Sequence, residues 1–312
     1  MADLISQKIS DKAGIPHLVQ LLSEQLSSAE LSSLLLEVYH QKSMHTSAPA
    51  LLQQYRHNIY VKPADTDMIV LLEKELQLLR YLKEQGYDPL ELSPVAPFGS
   101  CSVPGTVNQK KILSAIRHTE VLADATNALA LHIAHEHLTN PATPASGRIR
   151  YCTVHRHIRA MQLPPGKGYT PHFKIACMVA AGKDTGDYAF ERVTFREQLQ
   201  HIHHLLTSLF EIEDIYFKIQ PRAGYKDGQA LIAAATADFP FKMVRDPAPA
   251  ENNYYKGLQF KAIITVAGNE IEIADGGLVD WTHQFTGNKK ERCFIAGIGL
   301  SLLVKLCPPK MA

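Results

Sequence analysis

Phe260-Lys-Ala-Ile-Ile-Thr-Val-Ala-Gly-Asn-Glu-Ile-Glu-Ile-Ala-Asp-Gly-Gly-Leu-Val-Asp280 runs, after a short interval, into Ala296-Gly-Ile-Gly-Leu-Ser-Leu-Leu-Val-Lys305. Apolar and polar residues alternate on either side of Gly268-Asn269, which predicts a β-hairpin whose second strand carries Glu270 and Glu272 on one face. Gly276-Gly277 and Asp280 then read as a turn. Gly297 and Gly299 let a last strand and a last helix, starting near Gly299, approach closely.

Working back from that run, Tyr151 to Arg159 alternates with period 2, and Phe173 to Val179 is a second apolar strand. The Pro-Pro-Gly-Lys-Gly loop at 164–168 joins them into a strand–loop–strand hairpin. An amphipathic helix through Phe195, Leu199, Ile202, Leu206 and Leu209 and a strand from Glu213 to Ile219 follow. Upstream, Ile112, Ile116, Leu122, Leu129 and Ile133 predict one long helical region. Before it, Met68, Leu72, Leu76, Leu79 and Leu82 predict a helix opened by the Asp65-Thr66-Asp67 cluster and closed at Gly86. Residues 15–60 read as helical, with Leu31, Leu34, Leu35 and Val38 on one face. The sum is an α+β fold: an antiparallel β-sheet flanked by helices over 63–312, preceded by a helical segment over 1–62.

Of the 312 residues, 46% are apolar and 20% charged, a globular balance. A formal net charge of +1 supplies no general field for nucleic acid, so none is indicated as a partner. Five scattered cysteines without a C-x-x-C pair read as reduced thiols. With no signal-like N-terminus and no run long enough for a bilayer, a cytoplasmic protein without a membrane role is expected.

The order of the pieces resembles a class II aminoacyl-tRNA synthetase catalytic core. Leu90-Glu-Leu-Ser-Pro94 stands where that family has a strand ending in proline, and Ala115 to Ala130 where it has a substrate-binding segment. The Arg156 hairpin and the C-terminal run complete the set. Gly276-Gly277-Leu-Val-Asp280 is most similar to the histidyl-tRNA synthetase branch and its non-catalytic relative, the ATP-phosphoribosyltransferase regulatory subunit. The resemblance covers roughly 63–312 and implies a homodimer, with ATP and Mg²⁺ as cofactors.

It also implies site residues. Arg156, or Arg159 in an alternative register, would bind ATP. Arg117, Glu120, Thr126, Glu272, Asp275 and Asp280 would line the ligand site. No metal ligand set is assigned, and no catalytic residue. An adenylating site needs guanidinium groups on the phosphates, because the planar fork of arginine grips two oxygens at once. Here the family's Glu-Arg pair at the final helix is Ser301-Leu302, and its hairpin polar positions are Ile158, Ile175 and Cys177. Losing one engaged transition-state donor costs about 3–4 kcal/mol.

The expected function is therefore a synthetase paralogue without ordinary tRNA charging. It would bind an amino-acid-like or nucleotide ligand, or a protein partner, in a regulatory role. The alternative is an ATP-dependent ligase that activates an unusual carboxylate through an adenylate. The fifteen histidines raise a third reading, metal-dependent hydrolysis, but His135-Glu-His137 lacks the spacing of a zinc helix. Lys167, at the hairpin tip, is more naturally a loop residue than a phosphate ligand.

Overall fold

The computed structural model describes residues 2–140, 147–160, 169–246 and 254–308. The loop at 164–168, with Lys167, lies outside them. Four helices lead: α1 (Ala2–Ala13), α2 (Leu18–Gln20), α3 (Ser28–Met44) and α4 (Ala48–His57). Ser27 and Glu30 close a capping box on α3, and Ser47 caps α4. The apolar face predicted on α3 stays outside the core. Leu31 and Leu35 are half-buried, Leu34 and Val38 are exposed, and neither α3 nor α4 buries a residue. Local caps fix these helix ends, while the sheet is covered by other helices.

Asp67 caps α5 (Met68–Glu84) by accepting from the amides of Ile69 and Val70. Gly86 follows the helix with φ +83°, as its position predicts. The stripe that α5 buries is Leu71, Leu78 and Leu82. Met68, Leu72 and Leu76 face out, because a helix this rich in leucine offers two stripes and the sheet takes one.

The chain then alternates through β1 (Asp88–Pro89), β2 (Val95–Pro97), β3 (Thr119–Val121), α6 (Ala125–Thr139), β4 (Arg148–Ile158), β5 (His172–Lys183), α7 (Ala189–Phe210) and β6 (Ile215–Pro221). It finishes with α8 (Gly228–Thr236), β7 (Met243–Arg245), β8 (Lys256–Val266), β9 (Asn269–Val279), α9 (Trp281–Thr286), β10 (Glu291–Ile298) and α10 (Leu300–Leu306). The predicted long helix through Ile112 and Ile116 is corrected. Arg117 and His118 both take left-handed backbone, at φ 66° and 58°, and turn the chain into β3, so α6 begins only after Asp124.

Eight strands form one sheet in the order β1-β4-β5-β10-β9-β8-β6-β7; β2 and β3 pair separately. The six central strands are antiparallel to their neighbours, and only the short edges β1 and β7 pair parallel. On one face, Met178, Phe217, Phe260 and Phe294 join Leu78, Phe195, Leu231 and Leu303 in the main core. On the other, Val179, Cys293 and Ile295 pack with Leu129, Ile133 and Trp281 from α6 and α9. On the same face Cys177 and Ile175 pack with Ala96, Leu122 and Ala125, and the stretch of β9 at Glu272 and Asp275 is left open.

Two details of β9 set the open face. The hairpin turns at Ala267-Gly268, one residue earlier than expected, with both residues in the left-handed region that a tight two-residue turn requires. A register shift opposite Ala262–Ile263 makes Ile273 an extra residue, so Ile273 and Ala274 both face the core. Glu272 and Asp275 consequently share the open face although they are three apart. Gly276-Gly277 is a strand segment rather than a turn. A Cβ on Gly276 would sit 2.6 Å from the Phe260 ring, and one on Gly277 2.5 Å from the Leu258 carbonyl.

Candidate functional site

Strand parity decides which arginine reaches the open face. On β4, Cys152 and Val154 face the main core, so Arg156 shares their side; His157 and Arg159 face the other way. Arg156 is exposed and donates to Nδ1 of His172, 3.0 Å away. Arg159 instead enters a cavity of about 440 Å³, with Cys101, Thr106, Lys111, Asp124, Tyr254, Tyr255, Gln259 and Asp275. Of the two registers, the structure brings Arg159 to the site and sends Arg156 away from it.

Asp124 is the hub. One carboxylate oxygen accepts from the Thr126 amide at 3.0 Å and the Thr126 hydroxyl at 2.6 Å, which caps α6. The other accepts from the Tyr254 hydroxyl at 2.5 Å and lies 3.8 Å from the Arg159 guanidinium. Burial alone would raise the Asp124 pKa, but Arg159 and the bonds from Thr126 and Tyr254 prevail and hold it below the usual range. Arg159 Nε also donates to the Ala123 carbonyl at 3.1 Å. His157, buried behind the site, accepts from the Ala125 amide at 2.9 Å through Nε2, so its proton sits on Nδ1. Burial pushes its pKa down to about 4.

Asp275, across the cavity, accepts from the Tyr255 hydroxyl at 3.1 Å. Its pKa is pushed up to about 6, first by burial and then by the neighbouring Glu272 carboxylate. Two carboxylates thus face the Arg159 guanidinium within one small volume, and Lys111, an exposed residue, borders it. A cavity of that size falls in the range of small-ligand sites, and its charge pairing suits a zwitterion.

A second cavity, of about 180 Å³, shares Asp275 and lies toward α10. Phe173, Ile175, Gly297 and Leu302 give it an apolar wall, and Thr66, Lys174, Glu272, Ser301 and Lys305 border it. Its cations are already engaged: Lys174 with Glu75, and Lys305 with Asp65 at 3.3 Å. Ser301 accepts from the Lys174 amide at 2.8 Å.

The fold that carries this geometry matches solved structures. No protein-family model matches the sequence, and no curated protein matches it either. Histidyl-tRNA synthetase from S. aureus is similar in structure, with a TM-score of 0.58 and 13% identity over 78% of this chain and 66% of that one. An ATP phosphoribosyltransferase regulatory subunit/histidyl-tRNA synthetase from Bacillus halodurans C has a TM-score of 0.57 at 14% identity, covering 80% and 84%. A histidine–tRNA ligase subunit from Alicyclobacillus acidocaldarius gives 0.57 at 10% identity, covering 80% and 97%. The fold is class II synthetase-like. The chain spans about two thirds of the length of the S. aureus protein.

Several residues expected at the site lie elsewhere. Arg117 is exposed at the tip of the turn before β3. Glu120 is wholly buried, and its carboxylate is spent on the Gly99 and Cys101 amides and the Gln109 side chain, shaping the loop beside the cavity. Glu272 takes a 2.8 Å bond from Lys261 and borders the smaller cavity. Glu270 accepts from Tyr216 at 2.9 Å. Asp280, near Lys256 at 3.6 Å, lines a separate hollow with Tyr225 and Arg292. Thr126 serves the site through Asp124. Asp124, Tyr254, Tyr255 and Gln259 were not anticipated. Asp124 alone carried a sequence signal, an Asp-x-Thr helix cap before an apolar run.

Among the described residues, no three His, Cys, Asp or Glu side chains gather as a metal site, and no helix is long and apolar enough to cross a membrane. All five cysteines are free thiols.

Proposed function

We propose that this protein is a class II synthetase paralogue that binds an amino-acid-like zwitterion in the Asp124–Arg159–Asp275 cavity and does not charge tRNA in the ordinary way. The carrying observation is the convergence of Asp124, Asp275, Arg159 and Lys111 on one 440 Å³ volume. The ligand ammonium would sit against the carboxylates and its carboxylate against the cations, each bond charge-assisted. Tyr254 and Tyr255 supply apolar walls and hydroxyls, while Thr106 and Gln259 add neutral polar contacts.

The smaller cavity does not suit a Mg²⁺-triphosphate. Its wall is Phe173, Ile175 and Leu302, its lysines are paired, and Arg156 lies on the other face of β4. No adenylation step is therefore assigned, and the role proposed is regulatory. The B. halodurans neighbour, an ATP phosphoribosyltransferase regulatory subunit/histidyl-tRNA synthetase, supports a regulatory reading. Assembly as a homodimer is part of the proposal.

Calorimetric titration with the standard amino acids and their decarboxylated and amidated analogues tests the reading. One amino acid, or a small related set, binds, and both the amine and the carboxylic amide analogue bind at least tenfold more weakly. Failure of every zwitterion to bind, or ATP–pyrophosphate exchange at synthetase-like rates, would overturn it. Light scattering reads the dimer.

A further inference from the structure

Arg156, which the resemblance would place on ATP, makes a different contact. Arg156 can only donate, so the nitrogen that it meets on His172, Nδ1, must accept. The opposite ring nitrogen, Nε2, lies 2.6 Å from the Lys62 carbonyl, which can only accept. Both neighbours therefore demand the same tautomer: a neutral ring carrying its proton on Nε2. Arg156 orients His172, and His172 grips the backbone that joins α4 to α5.

That connection reaches the apolar cavity at its far end, Thr66. Thr66 borders it together with Tyr169, Thr170 and Phe173. The connection is tied at its other points as well. The Lys62 ammonium stands 3.9 Å above the Tyr55 ring of α4, and Lys305 of α10 reaches Asp65. Asp65 is 92% exposed at its side chain, so that ion pair contributes little and the His172 bond is the main fastening.

We propose that residues 62–66 form a strap that gates the apolar cavity, and that Arg156 is a positioning residue holding the strap shut through His172. The helical segment ahead of the strap is thereby coupled to the cavity: a load on α4 reaches the wall through Tyr55 and Lys62. A net hydrogen bond of ordinary strength shifts such a local opening equilibrium by about two- to tenfold.

Cavity access can be read by placing a thiol at Leu302 (Leu302→Cys) in a Cys307→Ser background, and timing its modification by a bulky thiol reagent. His172→Ala should speed labelling about two- to tenfold, and Arg156→Ala should do the same. The double variant should label no faster than His172→Ala alone, since the two act in series. His172→Gln, whose amide can still donate to the Lys62 carbonyl, should restore slow labelling. Far-UV circular dichroism and the urea midpoint monitor folding of each variant. If Leu302→Cys impairs folding, binding of an apolar fluorescent dye replaces the thiol and the same ordering is expected. Labelling and dye binding unchanged by His172→Ala, or additive effects of the two variants, would overturn the proposal.

Discussion

Asp275→Asn should make the protein more stable and a worse binder. The Asp275 carboxyl is shifted from its ordinary value of 3.8 to about 6 because it sits recessed beside Glu272. A carboxyl with a raised folded-state pKa binds more protons folded than unfolded between those two values, so its ionisation costs stability as pH rises through that window. At 1.36 kcal/mol per pH unit, the cost is complete above pH 6 at about 3 kcal/mol, and about half that at pH 5. Asparagine keeps the shape and one acceptor for Tyr255 while removing the charge. Urea unfolding at pH 8 should show Asp275→Asn more stable by about 1–3 kcal/mol, the lower end allowing for incomplete hydrogen bonding of the amide. The gain should shrink at pH 5 and vanish near pH 4. The same variant should lose at least tenfold in affinity for the zwitterion that calorimetry identifies. A gain independent of pH, or a loss of stability at pH 8, would refute the reasoning, because either would mean that the carboxyl is not held out of its charged form.

Glu197 works in the opposite sense. Burial opposes its ionisation, but His201, Arg148 and Arg150 prevail and hold its pKa near 2. Its contribution is present above the ordinary value of 4.5 and lost as pH falls through about 2, so Glu197→Gln should cost about 2–3 kcal/mol at pH 7 and clearly less at pH 3, by urea unfolding. Asp124→Ala removes the α6 cap and strands Arg159, so a loss of about 2–4 kcal/mol and of ligand affinity is expected; Asp124→Asn should recover the cap but not the affinity. Gly276→Ala should cost about 2 kcal/mol or more in thermal or urea unfolding, because the new methyl meets the Phe260 ring inside a paired strand.

The fold was legible where residues repeat with a period. β4, β5, β8 and β9 alternate, and α7 keeps one apolar stripe, so their order alone gives an antiparallel sheet with helices. It was illegible where a local feature breaks the count. Ile112 and Ile116 are spaced like helix residues, yet two left-handed residues at 117–118 turn the chain between them and β3. Ile273 shifts the phase of β9 by one, which no propensity announces. The site suffered most from parity. Arg156 on β4 and Arg159 just past its end are three apart in extended chain and point to opposite faces, and only the packing of Cys152 and Val154 tells which face is core. Glu120 was a ligand candidate because it stands in the segment that the resemblance assigns to the substrate; here loop amides satisfy it in the interior. Tyr254 reaches Asp124 across 130 positions of chain, a separation that hides the contact from any local motif.

Asp275 borders both cavities, so under the proposed function its proton would couple an occupant of one to an occupant of the other. A cationic group arriving in the larger cavity favours the ionised carboxylate and expels the proton to solvent. An apolar guest in the smaller cavity strips water from the same carboxyl and favours keeping it. The two occupants therefore oppose each other, most strongly near pH 6, and by reciprocity each weakens the other by the same factor. Proton release measured during titration in buffers of different ionisation enthalpy would read that antagonism directly.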